Sequence, residues 1–222
     1  MRVELGCISR ALGSCQLSME NQEECSVIAA VSGPNQRRLG DAVTCTHSFT
    51  NSLTDGQRRG SRNEGEASVS RMIEQTLIRC VTDSFLRKKN HQQLKLTITI
   101  QHLNLPSEDS LPKQMYSFCI AMAVNATYLA LINTTLPLDF GFIGAEANLD
   151  CSNKRMAGIF KICKDGKLSQ VAIGTLCVGD ELSVDEYFKL CEQCRLNAQT
   201  MSDAIQSTIA KSGNSICIPA NT

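Results

Sequence analysis

The hydrophobic pattern of this chain turns on one stretch, Met115 to Ile132, which is apolar almost all the way round. A helix without a polar face is either a membrane span or the central helix of a packed fold. Its 18 residues at 1.5 Å each reach roughly 27 Å, short of a bilayer core of about 30 Å. Ser117, Asn125 and Thr127 interrupt the run, and most of its other side chains are small. A buried helix is therefore expected, with no membrane contact. Ser107, Glu108, Asp109 and Ser110 offer capping oxygens ahead of it, and Pro112 suits a first turn. A helix N-terminus is also a natural anion site.

The rest of the chain arranges itself about that helix. Residues 3–32 read as three short strands, and Ser26 to Ser32 is nearly continuously apolar, as in a strand covered on both faces. Gly33, Pro34 and Asn35 end it. Val43 to Phe49 reads as a fourth strand, and residues 51–65 as a polar surface loop with three Gly and three Arg. Glu66 to Phe85 is an amphipathic helix, with Val69, Met72, Ile73, Thr76, Leu77, Cys80, Val81 and Phe85 at helical spacing. Leu94, Leu96, Ile98 and Ile100 alternate with polar residues, a half-buried strand. Asp139 to Leu149 reads as a strand with glycines. Ala157 to Cys163 and Leu168 to Cys177 flank Asp165 and Gly166, a hairpin signal. Ser183 and Glu186 form a capping box. It opens a helix to about Lys211 whose stripe holds Val184, Phe188, Cys191, Cys194, Ala198, Met201, Ile205 and Ile209. With no repeat or linker, the order predicts a single α+β domain over residues 1–222, helices layered on a mostly antiparallel sheet.

Composition narrows the partners. The 222 residues are 42% hydrophobic, with net charge zero and pI near 6.8. No global basic field recruits nucleic acid, so contact with it must be local or shared with partners. There is no Trp and only 5% aromatics, which argues against a base-stacking platform. The twelve cysteines would suit a disulfide framework in a secreted chain, but the opening residues lack the apolar core of a leader. Cys119, Cys163 and Cys177 also sit inside apolar runs, where a free thiol packs as a small hydrophobe. An intracellular, reduced protein is expected, with the sequons at Asn125 and Asn133 unused.

Candidate chemistry is sparse. Cys191 and Cys194 form a CxxC, but zinc ordinarily needs a second pair. The motif also falls mid-helix on the apolar stripe, unlike a redox motif at a helix start, so core packing is expected. His47, His91 and His102 are scattered without ligand spacing and read as ordinary strand or surface histidines. No metal and no cofactor is expected. Arg87, Lys88 and Lys89 complement a helix C-terminus. Arg58, Arg59 and Arg62 crowd the glycine-rich loop, either as solvated charge or as contacts to RNA phosphates. Glu146, Asn148 and Asp150 face one way on a strand, but Glu146 and Asp150 stand about 14 Å apart along it, too far to share a metal.

Several of these residues carry a resemblance. Gly13 and Ser14 in the first hairpin, Ser26 to Pro34 as a strand ending in Gly-Pro, and Phe118 to Pro137 with Asn125-Ala126, Ala130-Leu131 and Leu136-Pro137 resemble the ribonuclease PH family. The likeness runs from about residue 3 to 210 and implies a ribosomal-protein-S5-domain-2-like fold. The compact form resembles ring subunits of the RNA exosome. This implies RNase PH-like ring neighbours, cap proteins and RNA as partners, rRNA processing and RNA degradation as the setting, and nucleus, nucleolus and cytoplasm as locations. Active members place a Gly-Gly-Thr-Arg segment at the start of the buried helix to hold the attacking phosphate. Here residues 105–114 have no glycine pair and no Arg; Glu108 and Asp109 repel phosphate, Pro112 removes an amide, and only Lys113 helps. Active members also carry an Asp-Leu-Asp-Tyr pattern with a further Asp six residues beyond its first. Here Asn148, Leu149, Asp150 and Cys151 stand in that place, with Lys154 and Met156 where the further acid is sought. The resemblance therefore implies a non-catalytic structural subunit, not an enzyme, with Arg58, Arg59 and Arg62 near an RNA channel. Its rival is an active phosphorolytic or metal-dependent 3′–5′ nuclease, possibly a homodimer, using Asp150, Asp139 and the basic loop.

Overall fold

The computed structural model describes residues 1–19, 25–37, 42–48, 64–81, 93–103, 113–149, 153–163, 166–179 and 181–211. These form eight strands and three helices in the order β1 (Arg2–Leu5), β2 (Gly13–Ser18), β3 (Ser26–Arg37), β4 (Val43–Ser48), α1 (Glu64–Cys80), β5 (Gln93–Leu103), α2 (Lys113–Ile132), β6 (Gly141–Asn148), β7 (Arg155–Ile162), β8 (Leu168–Val178) and α3 (Val184–Lys211). The first five strands make one sheet, ordered β1-β2-β3-β5-β4, and the last three an antiparallel sheet, β6-β7-β8. All pairings are antiparallel except β4 with β5.

The apolar stretch becomes α2, and it lies between the two sheets, touching β2, β3 and β5 on one side and β6, β7 and β8 on the other. Every residue from Ser117 to Leu131 is buried. Apolar neighbours on both sides explain a helix with no polar face. Among the described residues, no helix is long and apolar enough to cross a membrane. α1 packs beside it against β4 and β8, and α3 covers the outer face of the three-stranded sheet along β6 and β7. The expected α+β layering on a mostly antiparallel, mixed sheet is what the chain adopts.

Among the described residues, the five-stranded sheet is covered on one face only. Cys25, Val27, Ala29 and Val31 point inward with Leu96, Ile98 and Ile100, whereas Ile28 and Ala30 are half-buried and Ser32 is exposed. This corrects the expectation of a strand buried on both faces: the outward apolar side chains are too few to seat a second layer. β3 also runs past Gly33, Pro34 and Asn35. After a register shift, Asn35, Gln36 and Arg37 pair with Lys95, Leu94 and Gln93. Gly33, at φ +114° with a backbone carbonyl where a Cβ would stand, takes the chain through the bulge.

Two helix expectations also change. α1 ends at Cys80 rather than Phe85, because Val81 bridges to Leu138 and the Asp139 N–H donates to the Cys80 carbonyl at 2.8 Å. A neighbouring backbone captures the chain where apolar periodicity alone would extend it. On α3, Val184 and Phe188 are exposed while Leu190, Cys194, Ala198, Ser202 and Ile205 are buried. The first turn directs Glu186 to Lys154 and Tyr187 to Thr175, which turns Val184 and Phe188 to solvent. The capping box is formed as expected: Ser183 N–H donates to Glu186 at 2.8 Å, and Glu186 N–H to Ser183 Oγ at 3.3 Å.

Candidate functional site

The two ends of α2 are built differently. At its C-terminal end, β2 meets the helix so closely that a Cβ on Gly13 would lie 2.4 Å from the Ala130 carbonyl oxygen and 2.5 Å from Thr134 Cγ2. Only glycine fits there. Ser14 is fully buried and its Oγ accepts the Ile8 N–H at 2.8 Å. Farther along, Asn125 works as a piece of strand. Its amide donates to the Gly144 carbonyl at 2.9 Å and accepts the Gly144 N–H at 2.7 Å, fastening the helix to β6. The residues that carried the family resemblance, Gly13, Ser14 and Asn125, thus hold the fold together.

The N-terminal end carries the chemistry. β6 runs against α2, so its last residues lie beside the first turns of the helix. Gly144 faces α2, and strand alternation sets Glu146 and Asn148 on the same face. Ser117 Oγ donates to Glu146 Oε2 at 2.5 Å. Burial pushes the Glu146 carboxyl above its usual range, while the Ser117 bond and the Arg155 charge hold it back. Asn148 is exposed at the strand end. Asp139 lies before the other end of β6, and seven strand steps of about 3.4 Å separate Gly141 from Asn148. Asp139 is therefore remote from the Glu146 end and cannot join an acid site there.

The two positions where the family's further acid was sought have other occupations. Lys154 Nζ sits 2.8 Å from both carboxylate oxygens of Glu186. That contact, with the capping bonds from Ser183, holds Glu186 at about 2. Met156 is fully buried in β7, where its sulfur meets Cys191 Sγ at 3.9 Å. Arg58, Arg59 and Arg62 lie outside the described residues, as do residues 104–112 ahead of α2, Asp150, His91 and Arg87 to Lys89.

Beneath the second turn of α2 is a cluster that sequence spacing did not reveal. Cys25, His102 and Cys119 each place one ligand atom within 4.8 Å of the others, and all three are buried. His47 Nε2 lies 3.1 Å from His102 Nε2, the rings crossing at 87°. A hydrogen bond between Cys25 and Cys119 lowers the Cys25 thiol and raises that of Cys119, with His102 also favouring the Cys25 thiolate. Burial, then the His102 charge, holds His47 well below its ordinary range. The other buried thiols behave as expected of packing residues. Cys80 donates to the Phe140 carbonyl and Cys194 to that of Ala145, and burial pushes each up to about 12. Cys191 is half-buried beside Cys194 and the CxxC is part of the core packing of α3.

A signal for the cluster existed. Cys25 begins the inward alternation of Val27, Ala29 and Val31; His47 continues that of Val43 and Cys45; His102 continues that of Leu96, Ile98 and Ile100. Alternation put all three on the core face. The strand order β3-β5-β4, which brings them together, is not written in local sequence.

Comparison with known proteins matches residues 1–137 to the 3′ exoribonuclease family, domain 1 (RNase PH). No curated protein sequence matches significantly. Among solved structures, the crystal structure of rice (Oryza sativa) Rrp46 superposes with a TM-score of 0.65 at 16% identity, over 94% of this chain and 93% of that one. A chain of the Archaeoglobus fulgidus exosome with RNA bound to the active site gives 0.66 at 12% identity, over 92% and 88%. A chain of an archaeal exosome core gives 0.64 at 12%, over 92% and 86%.

Proposed function

The chain belongs to the 3′ exoribonuclease (RNase PH) family, and from that premise we propose that it is a non-catalytic ring subunit of an RNA exosome, of the Rrp46 type. Its work is architectural, supporting 3′-to-5′ RNA processing and decay carried out by other subunits. The observation that carries this reading is the fate of the acidic positions. Lys154 is tied to Glu186 and Met156 is buried, so neither provides the acid that metal-assisted or general-acid attack requires. Glu146, on the neighbouring strand β6, is engaged by Ser117. Likeness in fold to an Rrp46 and to chains of archaeal exosomes, over nearly the whole length, supports a ring position. So do exposed apolar side chains at an edge: Val171 on the edge strand β8, and Val184 and Phe188 on α3, are 65–76% exposed. Apolar side chains on an unpaired sheet edge suit burial by a neighbour. Ring neighbours, cap proteins and RNA would be its partners, with Arg58, Arg59 and Arg62 touching RNA phosphates. The nucleus, nucleolus and cytoplasm are its proposed locations.

The test is native mass spectrometry of the chain isolated from its own cells, beside an RNA-shortening assay of the purified chain with phosphate and with magnesium. A hetero-oligomeric assembly and an inactive isolated chain support the proposal. An isolated homodimer that shortens RNA from its 3′ end, and loses that activity on Asp150→Ala, would replace it with the nuclease reading.

A further inference from the structure

The thiol and imidazole cluster beneath α2 has the composition of a closed metal site: Cys25, His102 and Cys119 lie within 4.8 Å of one another, and His47 stands behind His102 as a fourth donor. Its members come from four separate elements. Cys25 immediately precedes β3; His102 is on β5, where it pairs across the ladder with Val27; His47 is on β4; and Cys119 is in the second turn of α2. Sheet hydrogen bonding fixes three of these positions relative to one another, and helix packing fixes the fourth. In a tetrahedral zinc site, bonds of about 2.3 Å to sulfur and 2.0 Å to nitrogen place ligand atoms roughly 3.3–3.8 Å apart. The separation of His47 and His102 Nε2, at 3.1 Å, is close to that spacing. Cys25, Cys119 and His102, within 4.8 Å of one another, reach it by rotamer adjustments of about an ångström.

We propose that Cys25, Cys119, His102 and His47 bind one Zn²⁺ as a structural Cys2His2 site that clamps the N-terminal half of α2 to the five-stranded sheet. Charge and burial both favour this ion. Two thiolates and a divalent cation sum to zero, which a fully buried pocket tolerates where a lone charge would not. Soft thiolate and imidazole donors suit zinc over magnesium or calcium, which prefer oxygen. Exposures between 0 and 3% leave no open position for water, as a structural rather than a catalytic zinc requires. Binding releases the thiol protons, and the ion is taken up as the chain folds. The proposal does not depend on the exosome reading, since any chain with this fold and these four side chains would carry it.

Full-length protein purified without chelator and under reducing conditions is assayed for metal by mass spectrometry, then refolded with Co²⁺ as a spectroscopic probe. One zinc per chain is expected, with a thiolate-to-cobalt charge-transfer band and the intense visible bands of tetrahedral cobalt. Cys119→Ser removes the stoichiometric metal, His47→Gln weakens the tetrahedral bands, and Cys191→Ser leaves both unchanged. A folded wild-type chain that holds no zinc, and shows no thiolate–cobalt band after refolding with Co²⁺, overturns the proposal whether or not the variants fold. Recovery of Cys25 and Cys119 as a disulfide from metal-free, unreduced protein would overturn it too, and would identify the cluster as a redox pair.

Discussion

The two ends of the buried helix invite comparison. Toward the C-terminal end, Gly13, Ser14 and Asn125 act through shape and backbone hydrogen bonds. At the N-terminal end, Ser117, Glu146 and the Cys25–His102–Cys119 cluster bring polar and titratable groups together. One helix thus meets two kinds of constraint. The close backbone approach at Gly13 admits one residue type. The groups at the other end are held by pairwise hydrogen bonds, which a substitution can change without disturbing the layers.

Substitutions should rank accordingly. Gly13→Val forces a side chain into the Ala130 carbonyl and should cost about 3 kcal/mol in chemical denaturation; a loss below a few tenths would mean that β2 can move off the helix. Asn125→Leu strands both polar groups of Gly144 and should cost about 2 kcal/mol, with faster hydrogen exchange in β6 as the local readout. Ser117→Ala should cost about 1 kcal/mol and raise the Glu146 pKa further, because the lost bond favours the ionised carboxyl; a carboxylate titration by NMR reads it. The penalty should be larger above the Glu146 pKa than below it, since a neutral carboxyl no longer depends on that bond.

Lys154→Met should have the smallest effect, and pH sets its sign. The folded-state pKa of Glu186 lies below its unfolded value, so the Lys154 pair stabilises the protein above about pH 4.3. That contribution is lost as pH falls towards about 2. Thermal melts of wild type and variant should differ slightly at neutral pH and converge in acid. A difference that persists at pH 2 would mean that Lys154 acts through packing.

Much of the architecture was legible locally. The alternation of β5, the turn signal between β7 and β8, the apolar run of α2 and the Ser183–Glu186 box each state an element by side-chain spacing, turn or capping chemistry. Where that reading failed, a distant segment had intervened: Leu138 and Asp139 ended α1, and Lys154 and Thr175 turned the start of α3. The site was less legible. Lys154 and Met156 were visible as residue types, but their pairing with Glu186 and burial in β7 were not.

What the sequence determined by itself was which side chains face inward, because a period of two or of 3.6 is a property of consecutive residues. It made α2 a helix that must be covered on all sides; the strand alternation that carries Cys25, His47 and His102 to core faces was present too, although the histidines read as ordinary strand or surface residues. Only the tertiary structure decided that these faces meet one another and Cys119. Strand order and helix placement join residues up to 94 positions apart, from Cys25 to Cys119, and no local period encodes a contact of that separation.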